Sequence, residues 1–196
     1  PIASVRYSPN GNSDISSKNI LLNYNNVFSL DRIGASDQVE GGDSLSMGLE
    51  YKRTDIGGND IIDFKIANVL KSRENLKLPS KSKLNKTRSD IFGSINYNYS
   101  DNLKLGYDFS YDRDLNYSNY DAITAKLGIN KIVSTFDYIT ENHELGNTET
   151  IKNNTEFKFT DEHSLSFNTT KDLKDDFTQF YKLSYDYLTD CLLASF

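Results

Sequence analysis

The chain has 196 residues, of which 37% are hydrophobic, with a mean hydropathy of -0.59 and a formal charge of -6, so a single large buried core is poorly supplied with apolar side chains. The acidic balance argues against a general nucleic-acid binder, whose phosphate contacts demand a basic surface. No run of about 18 apolar residues exists, which removes a transmembrane helix but leaves a β-barrel open, because barrel strands need only ~9–11 residues each.

Thirteen Tyr and eleven Phe without Trp, beside many Asn, Ser, Thr and Asp, describe pleated strands parted by polar turns. In chain order, Leu45, Met47, Leu49 and Tyr51 alternate with Ser46, Gly48, Glu50 and Lys52. That is strand periodicity, because successive side chains of an extended chain point to opposite faces. Ile62, Phe64 and Ile66 then alternate with Asp63 and Lys65. In 91–99 the apolar set is Ile91, Ile95, Tyr97 and Tyr99 against Ser94, Asn96 and Asn98, with Phe92 the exception. After a tight connection at 100–102, Leu103, Leu105, Tyr107, Phe109 and Tyr111 oppose Lys104, Gly106, Asp108 and Ser110. The reading continues through Ile123, Ala125, Leu127 and Ile129, a less regular 132–140, Phe157 and Phe159, Leu165 and Phe167. It ends on Phe177, Tyr181, Leu183, Tyr185 and Tyr187.

Short connections (54–59, 100–102, around Asn130, 160–163, 188–190) alternate with longer ones (29–43, 71–89, 112–116, 141–147, 171–176). Outer-membrane barrels sort their loops in this way, short at the periplasmic end and long outside. The polar rows carry Glu50, Lys52, Asp63, Lys65, Lys104, Asp108, Glu156 and Lys158, which a packed dry interior would not tolerate unpaired. The fold expected is all-β: part of an antiparallel up-and-down transmembrane β-barrel of about ten to twelve strands, apolar rows to lipid and polar rows to a wet lumen. The segment 71–89 holds Lys71, Arg73, Lys77, Lys81, Lys83, Lys86 and Arg88 against Glu74 alone. On the side with long loops, it is a candidate for contact with lipopolysaccharide phosphates, weighed against a merely solvated loop.

His143 and His163 fall in connections, where a solvated residue is the favoured reading over a catalytic one. No H-x-x-x-H, C-x-x-C, phosphate loop or G-x-S-x-G occurs, and no enzyme activity or cofactor is expected. Cys191 stands alone, so any bridge it makes must leave the segment. The chain opens at Pro1 without a methionine and stops inside an apolar run, and it reads as a piece of a longer protein.

Residues 27–51 read VFSLDRIGASDQVEGGDSLSMGLEY. Asp37, Val39, Glu40, Gly41 and Gly42 stand in the order D-R-V-E-G-G, with Gln38 in place of the Arg. Pro1-Ile2-Ala3, Ser8-Pro9-Asn10 and Asp190-Cys191-Leu192 supply further anchors along the chain. On these residues the chain resembles the LptD family of lipopolysaccharide-assembly proteins. The resemblance implies that 1–196 is part of the C-terminal outer-membrane barrel domain of a translocon that inserts lipopolysaccharide into the outer leaflet. It also implies an LptE-like lipoprotein plug, a periplasmic bridge protein, and pairing of Cys191 with a cysteine elsewhere. The Glu40-Gly41-Gly42 motif reads more readily as a turn needing positive φ than as an element needed for function. A passive porin or nutrient receptor would keep the alternation without these anchors, and a secreted β-rich adhesin only the composition.

Overall fold

The structure is a computed structural model that describes every residue except 10, 12, 13, 19, 35–39, 143–146 and 190. Among the described residues, eleven strands form an antiparallel up-and-down sheet whose order follows the chain. They are β1 (Ile2–Ser8), β2 (Gly42–Thr54), β3 (Asp60–Lys71), β4 (Ile91–Ser100), β5 (Leu103–Tyr111), β6 (Ser118–Ile129), β7 (Ile132–Glu141), β8 (Thr148–Lys158), β9 (His163–Asp172), β10 (Phe177–Leu188) and β11 (Leu193–Ser195). β1 and β11 stand at the two ends of that order. One short helix, α1 (Tyr24–Val27), is capped by the Asn23 side chain, which accepts from the backbone N–H groups of Asn25 and Asn26.

The chain divides into two compact units, Pro1–Ile95 with Asp108–Asp121, and Asn96–Tyr107 with Ala122–Phe196. In the first, the β2–β3 register sets Glu50 opposite Lys65 and Lys52 opposite Asp63, so charges on the polar face meet opposite charges. Lys65 Nζ lies 2.7 Å from Asp63 and 3.9 Å from Glu50. Farther along the same face the lining turns apolar. Ile15, Leu22, Val27 and Ile33, with Leu78 and Leu84, pack onto Ala67, Val69 and Phe92. Phe92, the exception to its strand's alternation, is fully buried there. Gly48 is needed under this layer, since a Cβ there would lie 2.8 Å from Phe28 Cζ and 3.2 Å from Tyr24 Cε2.

In the second unit, β7 and β8 place Ser134, Thr155 and Asn153 on the face that also carries Ile132, Phe136 and Phe157. These polar groups satisfy one another, Ser134 with Thr155 at 2.7 Å and Asn153 donating to Ser134 at 3.2 Å. The irregular alternation of 132–140 thus has a physical basis: an internally bonded polar cluster costs far less on an apolar face than unpaired groups would.

Four expectations are corrected. Phe177 does not share a face with Tyr181: a bulge between Thr178 and Phe180 pairs Phe177 with Asp172 and Phe180 with Thr170, while Tyr181 pairs with Thr169. An extra residue in one strand shifts its parity, so both Phe177 and Phe180 join the polar row. His163 is the first residue of β9 rather than a loop residue, stacked on Tyr187 with ring centroids 4.8 Å apart. Loop lengths alternate only through the first eight connections; 159–162, 173–176 and 189–192 are equal. Lys71, expected in the long connection, is the last residue of β3. β1 and β11 also emerge as strands, the latter too short for a period of two to show in sequence and held by paired backbone bonds between Phe196 and Tyr185.

Candidate functional site

At the end of the first unit where β1 finishes, β2 begins and β3 finishes, four charged side chains converge. Glu40, just before β2, is 2% exposed, and its carboxylate accepts from three cations. Arg32 donates through Nε to Oε2 at 2.6 Å and through Nη2 to Oε1 at 2.7 Å. Arg6 Nη1 reaches Oε2 at 2.8 Å and Lys71 Nζ reaches Oε1 at 3.0 Å. Arg32 also donates to Ser46 and Ser44, both at 2.9 Å, Arg6 to the Ser29 carbonyl, and Lys71 to the Leu84 carbonyl at 3.3 Å. Burial pushes the Glu40 carboxyl up, but the Arg32 hydrogen bonds and charge, with those of Lys71, outweigh it and hold it below the ordinary glutamate value.

This cluster is an electrostatic keystone. It ties β1, the connection 9–41, β3 and the connection 72–90 to one carboxylate. The described parts of these two connections are correspondingly folded onto the sheet. Thr87 and Ser89 extend the β3 ladder through Lys71 N–H to Thr87 O (2.8 Å) and Ser89 N–H to Val69 O (2.9 Å). The Ile15 N–H donates to Lys77 O and the Leu22 N–H to Ser82 Oγ, both at 2.9 Å. At the base of the second connection Asp90 is fully buried, accepting from Asn119 at 2.8 Å and Ser110 at 3.3 Å, and burial raises its pKa.

The seven bases singled out in 71–89 divide. Lys71 is 4% exposed and engaged by Glu40, so it is removed from a solvent-facing set. Arg73, Lys77, Lys86 and Arg88 are exposed, Lys86 lying 3.4 Å from Glu74, and Lys81 and Lys83 are half-buried in a single 3-10 turn. Of the motif residues, Glu40 and Gly41 are buried and Gly42 opens β2 with φ +95, so positive φ belongs to Gly42. Asp37 and Val39 lie outside the described residues, as does His143. Cys191 is exposed and free in the connection between β10 and β11. Among the described residues, no group of three or more His, Cys, Asp or Glu side chains is placed to hold a metal ion. Arg6 and Arg32 escaped the sequence reading. The available signal was Arg32 beside Ile33 inside the motif stretch, a charge where a buried segment would need a partner.

These features define an all-β, up-and-down sheet protein with large apolar side chains left exposed on its strands and, in the first unit, described parts of the connections 9–41 and 72–90 packed on the polar face. Residues 1–183 match the family LptD, LPS transport system D, and the chain belongs to that family. It is a family of outer-membrane lipopolysaccharide transport proteins. No curated protein matches the chain.

Proposed function

We propose that the chain is part of the transmembrane barrel of a translocon that inserts lipopolysaccharide into the outer leaflet, working with an LptE-like lipoprotein plug and a periplasmic bridge protein. Family membership supports transport, and one observation supports the membrane setting. Large apolar side chains stand uncovered on the strands of each unit: Val5 is 81% exposed and Tyr7 76% in the first, Tyr181 72% and Leu183 65% in the second. Water would make such rows an association surface, whereas lipid makes them the solvated side. Arg73, Lys77, Lys86 and Arg88 are the side chains of 71–89 best exposed to meet lipopolysaccharide phosphates, Arg bidentately and Lys as point charges.

Depleting the full-length protein, with surface and total lipopolysaccharide measured separately, tests the proposal. The surface pool should fall while the total persists. An unchanged surface pool with reduced flux of small solutes would instead make the protein a passive porin. Replacing the four exposed bases with Gln should leave folding intact and weaken lipopolysaccharide association most at low salt.

A further inference from the structure

The two ends of the connection 72–90 meet carboxylates in opposite circumstances. Where it leaves β3, Lys71 reaches Glu40, an anion that three cations surround. Where it enters β4, Asp90 is fully buried and far less well compensated. Its Oδ2 accepts from Asn119 of β6 at 2.8 Å and from Ser110 of β5 at 3.3 Å, while the buried Oδ1 meets no donor among the described residues. Two charges of opposite sign act on it, Lys83 in the connection and Asp112 just past β5. Residues 87–89 continue the β3 ladder, so Asp90 stands on a fixed foot. The segment 75–85 rests against it, the Asp90 N–H donating to Ser82 O at 3.1 Å. That segment is closed on itself at its neck, where the Asn75 N–H donates to Asn85 O at 2.9 Å, and it holds Ser82 and Lys83 at φ +60 and +54, a left-handed conformation that side chains disfavour.

We propose that residues 75–85 are a flap that lifts from the polar face as one body, with the negative charge of Asp90 favouring the lifted state. Docked, the flap keeps that charge from water with one oxygen unsatisfied; lifted, it lets water reach both oxygens. Lifting also frees Ser82 and Lys83 from their disfavoured backbone. What holds the flap down is equally specific. Leu78 and Leu84 pack on Ala67, Val69 and Phe92, and flap oxygens accept from Ile15 N–H (Lys77 O, 2.9 Å), Leu22 N–H (Ser82 Oγ, 2.9 Å), Asp90 N–H (Ser82 O) and Lys71 Nζ (Leu84 O, 3.3 Å). Lys83 travels with the flap and attracts Asp90, Asp112 opposes it, and burial is the largest influence, raising the carboxyl above its ordinary 3.8. Docking is therefore strongest with the proton bound, weakens as pH rises from 3.8 through the higher docked value, and is level above it. Glu40 has the opposite sign, so one connection is tightened by charge at its start and loosened by charge at its end. Elements balanced in this way open locally, well short of global unfolding. The flap goes beyond the transport reading and stands without it, since it concerns how 75–85 sits on its own sheet.

Hydrogen exchange resolved to single amides, on the full-length protein in nanodiscs at pH 7, tests the flap. The Ile15 and Leu22 amides bond to flap oxygens, so in the parent they should exchange together and before the ladder amides of Lys71 and Ser89. Asp90→Asn keeps a side-chain oxygen for Asn119 and Ser110 but carries no charge. It should raise the protection of Ile15 and Leu22 about tenfold, the equivalent of one pKa unit, and leave the ladder amides unmoved. Asn119→Ala removes the nearer donor to the ionised carboxylate and should lower that protection, by less in the Asp90→Asn background. Exchange of Ile15 and Leu22 only in step with the ladder, or protection in folded Asp90→Asn no higher than in the parent, overturns the flap. Failure of Asp90→Asn to fold, seen as lost heat-modifiable gel migration, overturns it equally, because a charge that lifts the flap is not one the fold needs.

Discussion

Replacing Glu40 with Gln removes the carboxylate that Arg6, Arg32 and Lys71 share, and it strips the buried Arg32 and Lys71 of that counter-charge. Breaking a buried pair in this way costs ~3–5 kcal/mol, far more than an exposed pair would, so the variant should unfold at markedly lower urea, read by gel migration without heating. The pH dependence has a definite sign. A carboxyl held below its ordinary value of 4.5 contributes stability that is present above that value and is lost as pH falls through the lower folded one. The parent should therefore lose stability in acid below pH 4.5 and Glu40→Gln should lose less of it; parallel curves would assign the acid sensitivity to another group.

At the scale of the strand, the two faces make opposite demands. Leu105 and Leu127 belong to apolar rows and are exposed, whereas Gly106 belongs to the polar row. An Arg or Lys at Leu105 should cost ~2–4 kcal/mol if that row meets the bilayer interior. Spin labels at 105 and 106 should report lipid and water respectively, and the reverse would invert the orientation of β5. The strands of this region were legible because alternation is a property of neighbours in sequence. The bulge in β10 was not: Phe177 and Tyr181 keep the same parity in the chain, and only pairing with β9 reveals that one extra residue separates their faces.

For the whole molecule, the resemblance implies that Cys191 bonds a cysteine outside these 196 residues, and its exposed position between β10 and β11 leaves the thiol accessible to one. Mass spectrometry of the unreduced full-length protein should find Cys191 in a cross-linked peptide; recovery as a free thiol would contradict the pairing. The sequence alone determined the β class, a strand count within the expected range, most facings and the family, since each rests on a period of two, on turn residues or on a contiguous motif. It also singled out Glu40, though as part of a turn. Tertiary structure decided what Glu40 does, because its partners lie 34, 8 and 31 residues away and no local pattern brings them together. It likewise decided that 72–90 packs Leu78 and Leu84 onto Ala67, Val69 and Phe92 instead of standing free. The basic residues that dominate that segment's composition stay largely at its surface, while two of its leucines and the adjoining Lys71 find surroundings that offset their burial: an apolar patch on an otherwise polar face, and a carboxylate already held by two arginines.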